Sequence, residues 1–183
     1  MALNLSNIST NWTLFLDRDG VINVEKNEDY VKNWREFEFY PNSLIALPIL
    51  AKKFKRIVIT TNQKGVGKGL MTELDLTTIH SNMVETIQAI GGRIDHIFYC
   101  TDLDNNSINR KPQPGMAFQA KNQFPEIDFS KSIMVGNRKS DMEFGRNAGL
   151  HTVFVATTHP ETPFPDHHID YRFEDLLAFA QAL

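Results

Sequence analysis

Asp17 and Asp19 stand two residues apart in the segment FLDRDGVIN, directly after an apolar run and just before Gly20. Two acids at that spacing have more than one reading. They can form a polar turn whose carboxylates accept backbone N–H bonds. They can also form a reacting pair: Asp17 attacks phosphorus while a divalent cation neutralises charge, and Asp19 protonates the leaving oxygen and later activates water. A calcium loop is excluded, because an EF-hand needs further oxygen ligands at fixed spacings and a closing Glu that this segment lacks.

Three later segments carry matching chemistry. The stretch TTNQKGVGKG begins at Thr60 and places a hydroxyl (Thr61), two amides (Asn62, Gln63) and glycine-rich backbone where phosphate oxygens could be held. It is not a Walker A loop, since no window has the required Gly-Lys-Ser/Thr ending. The segment RKPQPGM sets Arg110 and Lys111 before a proline-initiated helix, where a lysine could bridge nucleophile and phosphate. The segment VGNRKSD offers Asn137 and Asp141 as oxygen groups for a metal; its plainer reading is a helix start capped by Ser140 or Asp141.

The elements that must position these residues follow from the apolar pattern. Short apolar runs over 12–16, 56–60, 96–100, 132–136 and 151–155 read as buried strands. Helices are predicted over 42–54, with Pro48 inviting a kink, over 72–90 with Thr72 as cap and Gly91-Gly92 as stop, and over 114–124, 140–148 and 173–182. Such alternation implies a parallel sheet covered by helices on both faces, with ligands bound beyond the strand C-termini. The four polar segments fall at those ends.

Composition bounds the rest. The 183 residues suit one domain, spanning 1–183, and 42% apolar with 22% charged residues suits a packed globular core. A net charge of −3 and pI near 6.1 argue against a nucleic-acid-binding surface. Cys100 is the sole cysteine, so no internal disulfide can form and a cytoplasmic location is expected, with no signal peptide and no membrane span. His159, His167 and His168 lie in a proline-rich late loop and are expected to be solvent-exposed without a role. The segment 23–39, with Glu25, Glu28, Tyr30 and Trp34, is expected to border the pocket.

Taken in order over about 14–155, DRDGVIN, DYV, TNQ, RKP-x-PGM and VGN-x-x-x-D resemble the haloacid dehalogenase (HAD) superfamily. The similarity is to the branch of phosphatases acting on heptose bisphosphate and histidinol phosphate. It implies a Rossmann-like α/β three-layer sandwich with little or no cap and an aspartyl-phosphate intermediate. Asp17 is then the nucleophile, Asp19 the acid and base, Thr61 the phosphate-binding hydroxyl and Lys111 the charge-stabilising lysine. Asn62, Gln63, Arg110 and Arg138 would contact a small phosphorylated substrate, and the enzyme is expected to be a monomer. Mg2+ would be held by Asp17, the Asp19 carbonyl, Asn137 and Asp141. Two departures stand out. The family pattern has Asp at the position of Asn137, which leaves an impaired, ligand-binding homologue as an alternative. Residues 102–110 contain no Cys or His to join Cys100, so no structural zinc is expected. A polynucleotide-end phosphatase is a further alternative that shares the chemistry.

Overall fold

The computed structural model describes residues 3–183. Six strands form one sheet in the order β3-β2-β1-β4-β5-β6: β1 (Thr13–Leu16), β2 (Arg56–Asn62), β3 (His96–Cys100), β4 (Ser132–Gly136), β5 (His151–Val155) and β6 (Tyr171–Phe173). All pairings are parallel, with Thr13 opposite Arg56 on one side and Ser132 on the other. The strand order reverses at β1, so the crevice beyond the carboxyl ends of β1 and β4 is the natural ligand site.

The two-residue period of the central strands builds both cores. Leu14, Leu16, Ile57, Ile59, Ile133 and Val135 face one layer, packed against Leu47 and Leu50 of α1 (Pro41–Lys53), Met83 and Ile87 of α3 (Glu73–Ala89) and Phe179 of α6 (Leu176–Gln181). Phe15, Val58 and Met134 face the other, against Met116 and Ala120 of α4 (Gly115–Gln123) and Phe144 of α5 (Lys139–Ala148). The predicted three-layer α/β sandwich is therefore the observed one.

Helix α1 continues through Pro48. Helix α3 starts at a reciprocal cap, Asp75 N–H donating to Thr72 Oγ1 at 3.1 Å and Thr72 N–H to Asp75 Oδ2 at 2.8 Å. Three features depart from expectation. The one-turn helix α2 (Lys64–Gly67) forms within the glycine-rich stretch; edge strand β6 was not anticipated; and α6 begins at Leu176, because 171–173 pair with β5 and Asp175 caps the helix. Among the described residues no helix is long and apolar enough to cross a membrane.

Candidate active site

A cavity of about 570 Å³ opens beyond the ends of β1, β2 and β4, lined by Asp17, Asp19, Thr61, Lys111 and Asp141 at its floor. Arg110 and Arg138 stand at its rim with Glu25, Glu28 and Tyr30. Trp34 does not join them: it stacks on Phe37 at 5.0 Å between ring centres and packs against the core.

The floor is a buried charge cluster. Lys111 Nζ lies 2.9 Å from Asp17 Oδ1 and 2.6 Å from Asp141 Oδ1, and donates to the Thr60 carbonyl at 2.8 Å. Two carboxylates share one ammonium out of water, leaving an excess negative charge. Burial, then the Asp141 charge, push the Asp17 carboxyl up to about 7 against the opposing pull of Lys111. Burial alone would lower the Lys111 pKa, but the two carboxylates outweigh it and raise it, so the ammonium stays charged. Asp141 also does the plainer work of a helix start, its Oδ2 accepting from Arg138 N–H at 3.0 Å. Gly136 permits that fold-back, since a Cβ there would sit 2.2 Å from Asp141 Cβ.

Asp19, two residues from Asp17, has the opposite surroundings. Burial would raise its pKa, but Arg18 Nη2 donates to both its oxygens at 2.8 and 2.9 Å, and Asn23 and Gln63 amides add bonds of 2.9 Å each; together they hold it below the usual carboxylate range. Arg18 is itself buried, and its Nη1 lies 3.2 Å from His80 Nε2. Burial, then the Arg18 charge, drive the His80 pKa down to about 3, so the neutral ring accepts from Arg18. Neither Arg18 nor His80 was singled out from sequence. The available signal for His80 was its place among Leu76, Ile79, Met83 and Ile87 on the buried face of α3.

The other expected residues divide between contact and support. Gln63 Nε2 bonds Thr61 Oγ1 at 2.9 Å as well as Asp19, tying the two together. Asn62, expected to contact substrate, has both ends of its amide engaged by the Lys111 backbone, accepting from its N–H at 3.0 Å and donating to its carbonyl at 3.1 Å. It positions the lysine. Arg110 Nη1 is buried without a hydrogen-bond partner. Arg138 is exposed and pairs with Glu25, its Nε at 3.0 Å from Oε1. Asn137 is fully buried; its Nδ2 donates to Glu25 Oε2 at 3.0 Å and Thr158 Oγ1 at 2.6 Å, while its Oδ1 has no donor.

A relative from Mycobacterium tuberculosis, a D-glycero-alpha-D-manno-heptose-1,7-bisphosphate 7-phosphatase, is 36% identical over 94% of this chain and 91% of its own length. The chain belongs to the haloacid dehalogenase superfamily of phosphatases. The HAD-hydrolase-like family model matches residues 108–178 of it. The D-glycero-beta-D-manno-heptose-1,7-bisphosphate 7-phosphatase of Escherichia coli K12 is 33% identical over 93% of this chain and 92% of its own. A crystal structure of D,D-heptose 1,7-bisphosphate phosphatase from B. bronchiseptica, complexed with magnesium and phosphate, superposes with a TM-score of 0.84 at 30% identity, covering 93% of this chain and 96% of that one. This HAD phosphatase keeps donors suited to a hard divalent cation. Asn137 Oδ1 is a buried oxygen without a hydrogen bond, and the Asp19 carbonyl accepts none from the backbone. The excess negative charge around Lys111 asks for a cation as well. Cys100 is buried beside Phe98 and Met116 in the core under α4.

Proposed function

We propose that this HAD phosphatase hydrolyses a phosphomonoester of a small sugar, with a heptose 1,7-bisphosphate as substrate, through an aspartyl-phosphate on Asp17. The observation that carries the mechanism is the Lys111 ammonium held between Asp17 and Asp141 at the carboxyl ends of β1 and β4. The substrate name rests on the names of the relatives.

Asp17, as carboxylate, attacks phosphorus while the ester P–O bond breaks; Asp19, held ionised by Arg18 before reaction, takes up a proton from solvent and passes it to the departing sugar oxygen. Asp19 then removes a proton from water as that water attacks phosphorus; the bond to Asp17 breaks and inorganic phosphate leaves. Lys111 compensates charge on Asp17 and on the phosphoryl oxygens, and Thr61 donates its hydroxyl to one of them. Gln63 and Arg18 hold Asp19 at the reacting edge. Mg2+, when bound, supplies further charge neutralisation, with Asp17, the Asp19 carbonyl and Asn137 Oδ1 to hold it and Asp141 behind them. Arg110, with its unpaired buried nitrogen, and Arg138 receive the rest of the substrate.

The test is phosphate release with Mg2+ across heptose 1,7-bisphosphate, histidinol phosphate and phosphorylated oligonucleotide ends. Heptose bisphosphate should turn over fastest. A preference for either of the others removes the substrate name, and undiminished turnover in Asp17→Asn removes the mechanism.

A further inference from the structure

We propose that Glu25 is a positioning residue that makes Asn137 usable as a cation ligand, by holding the nitrogen end of its amide so that the oxygen end is left free for a cation; this rests on the phosphatase reading above. The two ends of an asparagine amide have nearly the same shape and opposite polarity, so only its partners fix which end points where. Nδ2 of Asn137 faces two oxygens, Glu25 Oε2 at 3.0 Å and Thr158 Oγ1 at 2.6 Å. A hydroxyl could turn to serve either end of the amide. An ionised carboxylate only accepts, so Glu25 is the partner that forces the nitrogen to its own side.

The consequence falls on Oδ1. It is buried and meets no donor, a state that needs an electropositive partner to be tolerated. A Cβ at Gly20 would lie 2.0 Å from Nδ2 and 3.0 Å from Oδ1, so the amide packs closely on the turn after Asp19 with its nitrogen end the nearer to Gly20. Glu25 is held from its other side by Arg138, which takes Oε1 through Nε and Nη2. The Glu25 side chain is only 16% exposed, so its orientation is fixed by these bonds. It also returns to the site's edge the negative charge that an amide lacks. Charge alone and orientation are separable, because a carboxylate at position 137 would present an oxygen in either flip.

Mg2+ binding to the full chain without substrate, measured by titration calorimetry, tests this in a cycle of Glu25→Gln, Asn137→Asp and the double variant. Glu25→Gln should weaken Mg2+ about tenfold when residue 137 is Asn, and no more than about threefold, the effect of charge alone, in the Asn137→Asp background. Equal weakening in both backgrounds overturns the orienting role, as does unchanged affinity in Glu25→Gln. Melting in EDTA checks folding. Should Glu25→Gln not fold, Glu25→Asp keeps the charge but withdraws the carboxylate from Nδ2 and should weaken Mg2+ about threefold; no change there also overturns the proposal. If the unmodified chain binds no Mg2+ and releases no phosphate, the phosphatase reading fails with it. An active, Mg2+-binding chain indifferent to Glu25 sinks this inference alone.

Discussion

The floor and the rim of the cavity are built differently. On the floor, direct bonds tie Asp17 and Asp141 to Lys111 and tie Asp19 and Thr61 to Gln63, and all but Asp19 are buried. On the rim, Glu28, Asp29, Asn105 and Arg138 are exposed and come from loops. Bond cleavage needs fixed charges in a water-poor setting, which only strand ends inside a sheet can supply. Choice of leaving group needs a surface that can vary without disturbing the sheet. Within the floor, two carboxylates two residues apart are driven in opposite directions, Asp17 up by burial and Asp141, Asp19 down by Arg18 against its burial. That split separates the group awaiting a cation from the group already satisfied.

The comparison can be broken by mutation. Asp17→Asn should remove about four orders of magnitude of kcat, read as phosphate release; a loss under tenfold would mean the floor is not the reacting surface. Lys111→Met should lower kcat by about a hundredfold or more and destabilise the fold by about 3 kcal/mol in denaturant titration, since Asp17 and Asp141 would then face each other without a cation. A smaller effect follows from Asp17 titrating near 7 in the metal-free chain. Below that pH the carboxyl is protonated and Mg2+ must displace the proton, so Mg2+ affinity should rise as pH increases from 6 and level off above 7, by up to about tenfold per unit. Calorimetry in buffers of different ionisation enthalpy should show proton release below the midpoint. The rim should respond more gently: Arg110→Ala should raise KM for the bisphosphate about fivefold with kcat nearly unchanged, and leave a generic aryl phosphate almost unaffected. A large kcat loss there would move Arg110 to the floor.

The same division governs what could be read from the chain itself. The four inner strands were legible because strands buried on both faces are short apolar runs, edge strand β3 through its apolar run His96–Cys100, and floor residues such as Asp17 because they interrupt such runs at the carboxyl ends. Strand β6 was hidden, since Tyr171–Phe173 is a half-buried edge whose apolar residues merge with the α6 pattern. Asn62 lines the cavity, and its bonds to the Lys111 backbone, 49 positions away, could not be read from any local pattern. Arg18 reads as a surface arginine until His80 and Asp19 are seen to receive its guanidinium indoors. The Asn137–Glu25 bond joins residues 112 positions apart, a distance over which no local pattern carries information.

Because Asp17 follows β1 while its partners arrive with β2, the approach to α4 and the end of β4, no early portion of the chain holds a working site. Strand β1 is flanked by β2 and β4, so the centre of the sheet closes only when the segment around 132 docks. Catalytic turnover is thus a reporter on the long-range docking of β4 beside β1. In a refolding experiment, activity should return with the β1–β4 pairing and lag behind the helical signal, which α3 can supply from local contacts and its own cap.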